Sequence, residues 1–154
     1  MNIKNIGTIV IDRTFDDEWG KVVVDEKLRR HIFDVLELDK YGYKIPDYEA
    51  HISLFDKYET QVLPLYISEE GKYIDFELSE CKFVQPADWD GVKSCFIVCV
   101  DNPLFSKIRK KYGFSPLMHK DHPFHITIGI SDKTETKELK SLVSVFNEFV
   151  KQGL

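Results

Sequence analysis

Apolar positions recur along the chain at two periods, two and about 3.6, and the alternation between them predicts its elements. Gly7-Thr-Ile-Val-Ile11 is a β-branched run suited to a buried strand, and Lys21-Val-Val-Val24 is a second, with the polar stretch Asp16 to Gly20 as the turn of a hairpin. From Asp25, a suitable N-cap, Leu28, His31 or Ile32, Val35, Leu36 and Leu38 recur at helical spacing, and Tyr41-Gly42 marks the exit. Pro46-Asp47 breaks the chain again. Tyr48 to Phe55 then reads as a strand in which Ala50, Ile52 and Leu54 alternate with His51, Ser53 and Phe55. Thr60 to Ser68 has the beginnings of a short helix, weakened by Pro64.

The second half repeats the alternation. Tyr73 to Leu78 has period two, and Cys81 to Val84 continues it after a bend. Cys95 to Val100 is apolar on both faces, as in the middle of a covered sheet. Asn102-Pro103 caps and opens a helix bearing Leu104, Phe105, Ile108 and Tyr112, which Gly113 ends. In the strand Phe124 to Ile130, Phe124, Ile126, Ile128 and Ile130 fall on one face and His125, Thr127 and Gly129 on the other. A last helical stripe, Leu139, Leu142, Val143, Phe146 and Phe149-Val150, follows the capping candidates Ser131, Asp132 and Thr134. The order is strand, strand, helix, strand, then strands, helix, strand, helix: two consecutive α+β halves, expected to form one domain over residues 1–154.

Composition narrows the class. With 154 residues the chain is long enough for a hydrophobic core without disulfide or metal staples. Cys81, Cys95 and Cys99 form no C-x-x-C pair and read as buried, reduced thiols. No stretch has the apolar length of a membrane span and the first residues lack the apolar core of a signal peptide, so the expectation is a cytoplasmic protein without membrane partners. A net charge of -5 argues against wrapping long nucleic acid, while a small phosphate ligand needs only one or two local cations.

The chemistry rests on a short motif that occurs once in each half. His51-Ile-Ser53-Leu and His125-Ile-Thr127-Ile each place a histidine and a hydroxyl on one face of a strand. One such tripeptide arises easily by chance and a strand histidine is commonly structural; two copies on two strands in two halves favour function. If the strands are neighbours, two imidazoles and two hydroxyls meet in one cleft. Displacement at a phosphodiester needs a base on the attacking oxygen and an acid on the departing one, and histidine titrates near enough to neutrality for either. Hydroxyls can donate to the non-bridging oxygens where charge accumulates.

These two motifs resemble the signature of the two-histidine (2H) phosphoesterase superfamily, a repeated His-x-Thr/Ser-x with hydrophobic x. The resemblance implies a two-lobed α+β fold with pseudo-twofold symmetry, antiparallel sheets lining a central cleft and helices outside. It also implies metal-independent phosphodiester cleavage by His51, Ser53, His125 and Thr127, with no cofactor. The stretch Tyr48 to Phe55, with the short length and acidic balance, is similar to the small phage anti-CBASS enzymes, which degrade cyclic di- and trinucleotide immune signals. That likeness implies a cyclic oligonucleotide as the small-nucleotide partner. Members of the superfamily that open RNA-end 2′,3′-cyclic phosphates form the alternative, and a nucleotide-binding module without turnover is a third reading.

A nucleotide needs stacking surfaces and a cation near phosphate. Trp19 in the polar turn is a candidate for stacking or for folding back on the hairpin, and Trp89 in Pro86 to Gly91 is a candidate for stacking. Lys120, just before the second motif strand, is a candidate for reaching the phosphate or a solvated lysine. Lys107 to Lys111 reads as the solvated face of a helix, and His31 as structural. His119, His122 and His125 invite a metal reading, but Pro123 and the strand count against a helical ligand face, and no fourth ligand stands at a zinc spacing. The expectation is no metal.

Overall fold

The computed structural model describes residues 5–14, 18–118, 123–134 and 137–152. Two half-buried strands, β1 (Ile6–Asp12) and β2 (Trp19–Val24), pair antiparallel as the first hairpin. Helix α1 (Glu26–Val35) starts where Asp25 caps the Lys27 amide at 2.9 Å. Its buried stripe is Leu28, Arg29, Ile32 and Phe33, while Val35 is exposed, and a separate 3-10 turn over Leu38–Tyr41 leads into Gly42 at φ 85°. The first motif strand, β3 (His51–Phe55), is shorter than its alternation predicts, because residues 48–50 approach it outside the ladder.

Helix α2 (Lys57–Val62) comes earlier than expected, since Asp56 and Glu59 form a reciprocal capping box and Leu63, ahead of Pro64, is already extended. The alternating stretch from Tyr73 is then split at Phe76 into β4 (Tyr73–Asp75) and β5 (Glu77–Val84). Next come β6 (Ser94–Asp101), α3 (Pro103–Lys111) with Asn102 as N-cap, the second motif strand β7 (His125–Ser131), and α4 (Lys137–Lys151).

All seven strands form one sheet in the order β4-β1-β2-β3-β7-β6-β5. Setting β4 aside, the order is a palindrome about the β3/β7 boundary, and both halves run strand, strand, helix, strand. This is the expected α+β architecture with pseudo-twofold symmetry, with the two lobes' sheets fused into one. The outer strands β4 and β5 are separated by Phe76 alone, so the sheet curls until its edges meet at that end. Asn102 Nδ2 donates to the Asp75 carbonyl across this junction at 2.6 Å. β6 lies one strand in from the edge instead of mid-sheet, yet it is buried on both faces.

Two apolar clusters account for that. The main core packs the inward residues of the sheet, among them Ile9, Val22, Ile52, Leu54, Phe96, Val98, Ile126 and Ile128, against Leu28, Ile32, Phe105, Ile108, Leu139 and Phe146 of the helices. The helices cross over: α1 packs on β7 and α3 on β3, each against the other lobe's motif strand. A smaller cluster on the opposite face joins Cys95 and Ile97 of β6 to Val84, Val92 and Ile130. The three cysteines are buried and reduced. Among the described residues no helix is long and apolar enough to cross a membrane.

Each motif strand carries a register shift at the same place. Against β2, Gly20 pairs with Phe55 but Lys21 with Ser53, and against β6, Phe96 pairs with Gly129 but Ile97 with Thr127. The residue after each motif hydroxyl, Leu54 or Ile128, is therefore the bulged one. Beyond it the alternation inverts, so Ile130 joins the smaller cluster on the other face from Ile126 and Ile128. Gly20 lies inside β2 and does not close the turn as the sequence suggested; a Cβ there would come within 2.6 Å of the Phe55 ring. Gly20→Ala is expected to overpack this bulge and lower stability by about 1–3 kcal/mol, read as a lower midpoint in urea unfolding.

Candidate active site

β3 and β7 pair at a single register point, Ile52 opposite Ile126, both fully buried on the helix side. In an antiparallel pair the positions on either side of that point face each other, so His51 stands beside Thr127 and His125 beside Ser53, all four on the face away from the helices. The two histidines occupy one diagonal and the two hydroxyls the other, with diagonal backbone positions about 7–8 Å apart. A local twofold axis passes between the two isoleucines and relates one motif to the other.

Both imidazoles are anchored alike. Nδ1 of His51 lies 2.8 Å from the Glu49 carbonyl, and Nδ1 of His125 lies 2.9 Å from the Pro123 carbonyl, in each case the residue two positions earlier. A carbonyl only accepts, so each Nδ1 carries the hydrogen and Nε2 is the ring nitrogen on the side away from that anchor. Burial pushes the pKa of His51 below its ordinary value of 6.5; the hydrogen bond it donates to the Glu49 carbonyl opposes this and the charge of Lys21 adds to it. His51 is consequently neutral at pH 7, with an Nε2 lone pair able to accept a proton.

Tyr48 ties the two motifs together. Its ring lies 5.2 Å from that of His51, and Thr127 of the second motif is near enough to its hydroxyl to draw the phenol's pKa down against the effect of burial. Burial raises the pKa of this phenol, which keeps it protonated. Behind it, the 2% exposed Arg29 of α1 donates to the Tyr48 carbonyl at 2.7 Å and to both Glu26 carboxylate oxygens, with its guanidinium 5.8 Å from the Tyr48 ring. On the other side Trp89 stacks on Tyr48 at 6.1 Å and an interplanar angle of 27°. Trp89 is held there by a turn in which the Val92 amide donates to its carbonyl and Gly91 takes φ 77°, with Val92 anchored in the smaller apolar cluster. Hollows of about 510 and 550 Å³ lie along this loop, and Trp89 lines both.

Of the residues singled out for substrate, Trp89 thus joins the motif cluster. Trp19 sits two residues from Lys21 on the motif face of β2, opposite Asp12, with its Nε1 buried and without a partner among the described residues. It belongs to the strand and not to a turn, at the rim of the cleft. Lys120, with His119 and His122, lies outside the described residues. Among the described residues no three His, Cys, Asp or Glu side chains form a metal cage.

Sequence reasoning overlooked three contributors. Tyr48 reaches the site by a bend that no periodicity encodes. Arg29 is hidden within a helical stripe otherwise apolar. Lys21 did carry a signal: it is a charged residue in an aliphatic strand, at an alternating position, and it proves to pair with Ser53. The basic stretch of α3 is likewise not all solvated, because Arg109 is 1% exposed and grips Glu59 and the Leu54 carbonyl.

No curated protein and no solved structure matches the chain. The family described as "Swiss Army Knife, 2H phosphoesterase domain" matches residues 24–135. That span begins at the end of β2 and runs past β7, so it contains both motif strands, the seam between them and the two crossing helices. By that match, which covers most of its length, the chain belongs to the 2H phosphoesterases, whose members are phosphodiesterase hydrolases.

Proposed function

We propose that the cleft hydrolyses phosphodiesters without a metal, between His51 and His125, and that its substrate is a cyclic oligonucleotide second messenger. The observation that carries the chemistry is the seam at Ile52 and Ile126, which sets two identically anchored imidazoles across one diagonal and two hydroxyls across the other. In this reading His51 is the base. Its Nε2 takes a proton from the attacking oxygen, a water or a ribose 2′-hydroxyl, as that oxygen forms a bond to phosphorus. His125, protonated, gives its Nε2 proton to the departing oxygen as the old P–O bond breaks. Ser53 and Thr127 donate to the non-bridging oxygens, with Tyr48 orienting Thr127.

The cyclic oligonucleotide is supported by the aromatic relay from His51 through Tyr48 to Trp89 and by the open volume that Trp89 lines. A nucleobase stacked on Trp89 leaves its phosphate near the motif cluster. The likeness of Tyr48 to Phe55 to anti-CBASS enzymes extends the proposal to removal of antiphage signals in the host cytoplasm.

A cleavage panel tests this reading. Wild type is expected to consume 3′,3′-cyclic dinucleotides, unaffected by EDTA, and His51→Ala and His125→Ala each to lose about a hundredfold or more in turnover. Consumption of only 2′,3′-cyclic mononucleotides would redirect the substrate to RNA ends; recovery of intact ligand after denaturation would leave a binding module; inhibition by EDTA that zinc reverses would overturn the metal-free mechanism. Trp89→Ala should raise KM with little change in kcat, since base stacking on an aromatic ring is worth about 1–3 kcal/mol. Because burial depresses the His51 pKa, the base form is lost only at acid pH, and the acid limit of kcat/KM should fall below 6.5 in a pH-rate profile.

A further inference from the structure

The strands that pair directly with the motif strands are β2 and β6, and between them they carry one cation, Lys21. It lies on the motif face, in register with Ser53, with Val23 two positions on in register with His51. Its side chain is only 15% exposed, and Nζ is held 2.8 Å from Oε1 of Glu49, the residue whose carbonyl anchors His51. A lysine in a strand of valines, drawn inward instead of extended into solvent, costs desolvation that one partly exposed carboxylate offsets incompletely. An ammonium has three donors, and among the described residues Glu49 is the ion-pair partner, at a single oxygen.

We infer that Lys21 binds a non-bridging oxygen of the scissile phosphate on the Ser53 side of the cleft, with Glu49 as the counter-ion that aims it. This deepens the phosphodiesterase reading above and rests on it. The groups around this position fit the role. Arg29 spends Nε and Nη2 on Glu26 and the Tyr48 carbonyl and has its remaining Nη1 fully buried, and Asp12, across from Trp19 on β1, has its carboxyl held below the usual range chiefly by hydrogen bonds from Thr14, with a smaller contribution from Lys21. Lys21 is therefore the cation of the paired strands free to meet a phosphate anion. Its charge also disfavours a proton on His51, so the group that binds the phosphate assists the base beside it. Ser53 and Lys21 then serve one phosphate oxygen as Thr127 and Tyr48 serve the other.

Two measurements on the full chain test this. In the first, Lys21→Met and Lys21→Arg are compared with wild type on whichever phosphodiester wild type consumes. Lys21→Met is expected to lose about a hundredfold in kcat/KM, the scale of a lost oxyanion donor, with an unchanged thermal midpoint and an acid limit moved to higher pH. Lys21→Arg keeps the charge and should recover most of the loss. In the second, the His51 ring is titrated by NMR with and without inorganic phosphate. Phosphate is expected to raise the His51 pKa in wild type, because an adjacent anion favours imidazolium, and to do so in Lys21→Met only at much higher concentration. Wild-type kinetics in Lys21→Met, or an equal phosphate response in both proteins, would overturn the assignment. The phosphate titration requires no turnover, so a protein that cleaves no phosphodiester would sink the functional reading while Lys21 is still judged.

Discussion

Everything at the cleft depends on one contact, the pairing of Ile52 with Ile126 where the two lobes meet. Both side chains are fully buried against the helices, so sliding either strand by one residue would turn its histidine and hydroxyl into the core and its isoleucine into the cleft. The hydrophobic effect thereby fixes the register of the two motifs. The bulge that follows each motif confines the constraint to the few residues that need it: beyond Leu54 and Ile128 the strands follow a different alternation, and the lobes diverge.

The bulge in β3 also explains the buried arginine of α3. A bulged residue leaves the regular ladder, and the Leu54 carbonyl is taken up by Arg109 Nη1 at 2.7 Å, while the same guanidinium closes a two-pronged pair with Glu59. Glu59 is in turn half of the capping box of α2. Arg29 does comparable work on the other side, holding the Tyr48 carbonyl from α1. The backbone on either side of the first motif is thus secured by buried guanidiniums, one from each lobe's helix, through charge-assisted bonds where the strand ladder is irregular.

What the sequence displayed and what it hid divide along the same line. Alternation and capping residues revealed the strands, the Asp25 and Asn102 caps and the like orientation of each histidine and hydroxyl, because these follow from local geometry. The split at Phe76 was invisible, since Tyr73 to Leu78 alternates without interruption while its two halves join opposite edges of the sheet. Ile130 was placed on the wrong face because a bulge inverts parity without changing residue type. Tyr48 and Arg29 reach the site through a bend and a helix crossing, which are tertiary facts. Lys21 was legible as an anomaly, but its meaning required the partner strand.

The junction at Phe76 has a mechanical consequence. The lobes are linked at the seam, and again where the outermost strands run into each other, with Asn102 clamping the Asp75 carbonyl beside the join. A sheet fastened at both its middle and its rim resists the hinge motion that would spread its two halves. The gap between the imidazoles is then a fixed jaw, its width set by the fold and not by what occupies it. For the reading proposed above, a jaw of set width makes the size and pucker of the phosphodiester the basis of selection.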